Sequence, residues 1–146
     1  MAIITAICVS KKKGEKKQSI DDAVLLNKNG IEGDAHAGDW HRQISLLSED
    51  SVATIRNKGL DLSPGDFAEN ILVQGIKVAD LPVGARLGIA DKVELEITQI
   101  GKECHNKCAI YEQVGDCIMP REGVFARVLK EGYIKAGDPI EVVGNV

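Results

Sequence analysis

Residues Pro82–Gly101 read PVGARLGIADKVELEITQIG. Val93, Leu95 and Ile97 alternate with Glu94, Glu96 and Thr98. A period of two puts the first set on a buried face and the second on a solvated one, which predicts a strand over Val93–Ile100. Arg86–Ile89 reads as a partner strand, with a turn at Ala90-Asp91-Lys92 between them. A hairpin this strongly patterned points to a mostly β fold.

The rest of the chain agrees. Aromatic residues are 3% of the 146 residues, against 44% hydrophobic overall, so the core has to be built from Ile, Val, Leu and Ala. Branched aliphatics favour a pleated interior. The opening MAIITAICVS reads as a buried first strand that includes Cys8. It has no preceding basic residues and is too short to span a bilayer. Further strands are expected at Ala23–Leu26, Ile44–Leu47 and Ile71–Val73. The tail GVFARVLKEGYIKAGDPIEVVG, Gly123–Gly144, predicts two or three more, with turns at Glu131-Gly132 and Gly137-Asp138. One helix stands out: Ser48 reads as its N-cap, Glu49 and Asp50 suit the first turn, and Gly59 ends it. Phe67–Asn70 reads as a second, single helical turn. Short strands at close spacing with one or two short helices predict a barrel or a sandwich, over one domain spanning 1–146.

Net charge is −4, with no basic stripe, so nucleic acid is not an expected partner. The KKKGEKK run, Lys11–Lys17, reads as a solvated loop or as an electrostatic collar for an anion. No export signal or membrane span is legible, which predicts a cytoplasmic protein with reduced thiols.

Three of the four cysteines fall in Gly101–Cys117, GKECHNKCAIYEQVGDC. Cys104, His105, Cys108 and Cys117 can be read as zinc ligands, although structural zinc sites usually use two close pairs held far apart. A Cys104–Cys108 disulfide is sterically feasible, and in a reducing compartment it would be transient. Cys117 suits packing. The third reading is a reactive thiolate at Cys104 or Cys108. A free cysteine, with a pKa of about 8.5, is only about 3% ionised at pH 7. Nearby cations such as Lys102, His105 and Lys107 lower that value by about one to three and can make thiolate the main form.

A glycine-rich stretch precedes the Ile44 strand. Gly30, Gly33 and Gly38 lie within NKNGIEGDAHAG, followed by Asp39, Trp40, His41 and Arg42. Such glycine density suits close backbone approach to a ligand. Arg42 offers a planar fork for phosphate. His36 and His41 alone give too few ligands for zinc. Asp66, Glu69 and Asn70 either brace a turn or bind a ligand, and Arg127 points either into a barrel mouth or to solvent.

Four stretches, GIEGDAHAGDWHRQISLL, GDFAENI, TQIGKECHNKC and GVFARVLKEGYIKAGDPI, occur in this order. Together they resemble the MOSC domain, named for the C-terminal domain of molybdenum cofactor sulfurases, from about Gly30 to Val143. The resemblance implies a small, closed or nearly closed β-barrel like the β-barrel domain of pyruvate kinase. It also implies a sulfur carrier or molybdenum cofactor-binding protein, independent of pyridoxal phosphate, acting through one cysteine. In stand-alone bacterial members a T-Q stretch leads to that cysteine, which here selects Cys104 as sulfur carrier or molybdenum ligand. Relatives that reduce amidoximes carry the ligand in a cysteine pair, which makes Cys108 the second choice. This chain lacks the proline next to the cysteine and adds Cys108 and Cys117. Gly33, Asp34, His36, Gly38, His41, Arg42, Asn70, Lys102 and Arg127 are then the expected cofactor-binding residues. Molybdopterin, a persulfide donor and cofactor biosynthesis proteins are the expected partners. A non-catalytic pterin-binding partner protein and a small zinc protein are the alternatives.

Overall fold

The computed structural model describes residues 2–12, 17–35, 37–57, 59, 63–65, 67, 69–101 and 123–144. Eleven strands are present among them: β1 (Ile3–Val9), β2 (Gln18–Ile20), β3 (Asp22–Leu26), β4 (Gly30–Ile31), β5 (Ile44–Ser48), β6 (Ile71–Gln74), β7 (Arg86–Ile89), β8 (Val93–Ile100), β9 (Val124–Lys130), β10 (Gly132–Lys135) and β11 (Ile140–Gly144). One α-helix, α1 (Glu49–Arg56), and a 3-10 turn at Val78–Asp80 complete the described elements. The fold is mostly β, as the alternation predicts.

Eight strands form one sheet in the order β11-β7-β8-β9-β5-β6-β1-β2, and β10-β3-β4 form a second. Among the described residues the sheets do not close into the expected barrel. The large sheet ends at β11 on one side and β2, beside β1, on the other, which leaves a gap between these edges. An antiparallel bridge, Ile3↔Pro139, spans that gap, with Ile4 N–H donating to Asp138 O at 2.9 Å beside it. The helix lies where topology needs it: β5 and β6 are parallel, and parallel neighbours require a crossover, which α1 supplies.

The core is aliphatic. Ile4, Ile7, Leu25, Ile31, Ile44, Leu46, Ile71, Leu87 and Ile89 are fully buried. Cys8 is fully buried in β1. The predicted hairpin forms with Leu87↔Leu95 and Ile89↔Val93 in register. Its outward glutamates are paired, Glu94 with Arg86 and Lys130, and Glu96 with Arg127.

Several local expectations change. The Ser48 hydroxyl donates to Ile76 O at 2.7 Å and accepts from Val78 N–H at 2.9 Å, so it braces the 3-10 turn. Phe67, Glu69 and Asn70 do not form a helical turn. The Glu69 carboxylate instead accepts from the N–H groups of Gly65 and Phe67, at 2.8 and 3.1 Å, and draws the chain into a tight loop. At Glu131 the chain turns a corner between sheets: β9 pairs with β8 and β5, β10 with β3. Among the described residues no helix is long and apolar enough to cross a membrane.

Candidate functional site

Three strand ends meet at one corner of the large sheet. β5 begins at Ile44, directly after the glycine-rich stretch, and lies opposite Ala126 of β9. β8 ends at Ile100, opposite Val124. The register of β8 on β9 slips here: Ile97 faces Ala126 but Gln99 faces Phe125, so Thr98 is an extra residue. A bulge of this kind re-aims side chains. Alternation holds from Val93 to Ile97 and then fails, leaving Thr98 and Gln99 both half-buried.

The re-aimed pair takes hold of His41 and Arg42. The Thr98 hydroxyl bonds to the carbonyl of His41 and lies 3.1 Å from that of Phe125. Gln99 Oε1 is 3.0 Å from His41 Nε2 and accepts from Arg42 Nε at 3.1 Å. Gln99 Nε2 donates to Gly101 O at 2.8 Å. The Arg42 guanidinium carbon lies 5.1 Å from the centre of the Phe125 ring, a cation–π arrangement. Trp40 packs edge-on against His41, with ring centres 5.8 Å apart and planes at 70°.

Beside this network opens a cleft of about 440 Å³ whose lining includes Asn27, Lys28, Trp40, His41, Thr98 and Arg127. The buried Gln43 builds its floor: Gln43 Oε1 accepts from Val128 N–H at 2.9 Å, extending the pairing of β9 past the end of β5. Asn27 Nδ2 donates to the carbonyls of Val128 and Leu129 at 3.0 and 2.9 Å. Arg127 lies on the solvent side of β9, opposite Glu96, whose Oε1 it holds through both Nε and Nη2 at 2.7 Å. Lys28 and Arg127 bring positive charge to the cleft and Asp39 negative charge.

The other expected residues are placed differently. Asp34 is buried and its Oδ1 accepts from Lys17 Nζ at 2.7 Å and from Ser10 N–H at 3.1 Å. Burial pushes the Asp34 carboxyl up, but the hydrogen bond and charge of Lys17, with Ser10 and Asn70, hold it below the usual carboxylate value. Asn70 is also buried. Its Oδ1 accepts from Ser45 N–H at 2.9 Å and its Nδ2 donates to Cys8 O at 3.0 Å, tying β1 to β5. Lys17, read as part of a solvated run, is thus an interior cation. Gly33 is exposed at φ +87°. Gly38 N–H donates to Asn29 O at 2.6 Å, and Gly38 O accepts from Trp40 N–H at 3.0 Å. His36, Lys102, Cys104, Cys108 and Cys117 lie outside the described residues, and among the described residues no group of three or more His, Cys, Asp or Glu side chains is placed to hold a metal.

The structure therefore joins His41 and Arg42 through Gln99 and holds His41 by Thr98, with Arg127 lining the same cleft as His41. It sets Asp34 and Asn70 apart, in a buried polar cluster. Gln99 and Thr98 were legible only as a motif ahead of a cysteine, not as contacts of the histidine loop.

The MOSC domain family model matches residues 33–141. The chain belongs to the MOSC domain family. The matched region contains β5 to β10, the Thr98-Gln99 junction and the cleft lining apart from Asn27 and Lys28. This family is associated with molybdenum cofactor-related function. No curated protein matches the MOSC chain. Among solved structures it is similar to the YuaD protein of Bacillus subtilis, with TM-score 0.80 and 19% identity over 97% of this chain and 96% of that one. It is also similar to YiiM of Geobacillus stearothermophilus, with TM-score 0.74 and 23% identity over 99% of this chain and 76% of that one. YiiM of Escherichia coli gives TM-score 0.70 and 17% identity over 100% and 71%. At these identities the likenesses establish the shared fold.

Proposed function

We propose that this MOSC domain binds a molybdenum cofactor in the cleft beside His41 and handles sulfur, or ligates the metal, through a cysteine of the adjoining segment. The observation that carries the reading is the side chain of Gln99. It joins His41 and Arg42 to the carbonyl of Gly101, the residue from which the cysteine-bearing stretch departs. Gly101 N–H also donates to Gly123 O at 2.6 Å, so the two described residues on either side of that stretch are joined. Cys104 follows Gly101 by three residues, and three residues of extended chain reach at most about 10–11 Å.

The residues present suit such a cofactor. Trp40 offers an aromatic edge, and Arg127, Lys28 and His41 offer donors for an anionic group. Bound there, the cofactor would supply the metal centre. The chain's own residues would hold its anionic part, limit water through Trp40 and present a thiolate. In the sulfur-carrier form, a thiolate of Cys104 or Cys108 attacks the outer sulfur of a donor persulfide. The donor S–S bond breaks, the donor leaves as thiolate, and the protein keeps Cys–S–SH. The same reading takes the large sheet as a nearly closed barrel, on the strength of the Ile3↔Pro139 bridge, and places the protein in a reducing cytoplasm.

Mixing the purified protein with molybdopterin and following both through gel filtration tests the cofactor role. Co-elution is expected, and its absence would remove that role. A second reading is a pterin-binding partner protein without catalysis, in which Trp40, His41 and the cations of the cleft hold the pterin without a thiol. It predicts that retention survives Cys104→Ser together with Cys108→Ser.

A further inference from the structure

We infer that Gln99 is a positioning residue that fixes which nitrogen of His41 serves the cleft and couples that ring to the start of the cysteine segment. The role rests on the cleft being the working site proposed above. An amide side chain has one accepting and one donating end. Two partners settle which is which here. Arg42 Nε can only donate and lies 3.1 Å from Oε1. The Gly101 carbonyl can only accept and lies 2.8 Å from Nε2. Turning the amide over would set donor against donor and acceptor against acceptor. Oε1 therefore faces His41, and because it only accepts, His41 Nε2, 3.0 Å away, must carry a hydrogen. In the neutral ring Nδ1 is then the lone-pair nitrogen, and it is the ring nitrogen left to a molecule in the cleft that His41 lines.

The backbone of the same residue is held as well. Thr98, displaced by the bulge, bonds to His41 O. Two consecutive residues of β8 thus grip His41 at carbonyl and ring, and the second also grips Gly101. A shift of His41 or Arg42 on ligand binding reaches the head of the cysteine stretch through one side chain. An apolar residue at 99 would break all three links. Glutamate would keep the two acceptor links and lose the donor to Gly101.

The experiment compares wild type, Gln99→Glu and Gln99→Met by NMR, after far-UV circular dichroism has shown each to be folded. It reads the ring Nε2–H proton of His41 and the carbonyl carbon shift of Gly101, the atom that accepts from Gln99 being its oxygen. In wild type the ring proton should be visible, protected by its acceptor. It should persist in Q99E and vanish in Q99M. The Gly101 carbonyl carbon resonance should move upfield in both variants, because the hydrogen bond the carbonyl accepts from Gln99 Nε2 is lost. A ring proton that survives in Q99M, or a Gly101 carbonyl resonance unmoved in both variants, would overturn the proposal. Neither readout involves sulfur or cofactor, so failure of the proposed function leaves these results to be judged separately.

Discussion

Lys17 Nζ lies 2.7 Å from Asp34 Oδ1 with both side chains shut off from solvent. This pair anchors the glycine-rich stretch to the chain entering β2. Removing one member of a buried pair strands the other charge and costs about 3–5 kcal/mol. Asp34→Asn keeps an acceptor for Ser10 N–H but takes the carboxylate charge away from Lys17, so its Tm should fall. The joint change Lys17→Met with Asp34→Leu should cost less than Asp34→Asn alone. Because the Asp34 carboxyl is held below its usual value of 3.8, the pair's contribution is complete above that value. It is lost as pH falls through the lower folded one. Acid unfolding of the wild type, set against Asp34→Asn, reads this out: the difference between them should shrink only in strongly acid solution.

Gly65 is fixed by contact as much as by conformation. Its φ is +93°, and a Cβ there would stand 1.9 Å from Lys17 O. Gly33 has φ +87° with nothing within 4 Å. Gly33→Ala should therefore cost only the left-handed strain, about 1–2 kcal/mol. Gly65→Ala adds a backbone clash that also disturbs the Lys17 N–H bond to Gly65 O, 2.9 Å long, and should cost at least about 3 kcal/mol. Denaturant midpoints of the two variants test the contrast.

Arg127 and Glu96 oppose each other on the outer face, where the arginine side chain is 51% exposed. Exposed pairs stabilise by about 0–1 kcal/mol, so Arg127→Gln should leave the melting curve nearly unchanged. If the cleft takes an anionic group, the same variant loses a charge-assisted bond worth about 1.5–3 kcal/mol. The Kd for molybdopterin should then rise about tenfold or more. Calorimetric titration beside thermal melting separates the two effects.

The hairpin and the helix were readable because their causes are local: alternation over Val93–Ile97, and acidic residues opening α1 before a glycine. The features that build the site depend on distant partners. Thr98 fits an outward position by period, yet the slip against Phe125 re-aims it, and nothing within β8 encodes that slip. Lys17 closes a run of charges that suggests solvent, and only Asp34, distant in sequence, makes burial tolerable. Asn70 suits ligand binding as well as bracing until Ser45 and Cys8 occupy its amide. His41, Arg42 and Arg127 were legible as polar residues in special settings. Their convergence came from β5, β8 and β9 meeting at one corner.

The most direct test of a reactive cysteine beside the His41 cleft is sulfur loading. The reduced protein is incubated with a persulfide donor, and its intact mass is measured before and after mild reduction. The account predicts a gain of about 32 Da, one sulfur atom held as a persulfide, reversed by reductant. Peptide mapping should place it on Cys104 or Cys108, and it should be absent from the variant carrying serine at both. No added mass on the wild type, or the same gain in the doubly substituted variant, would contradict it.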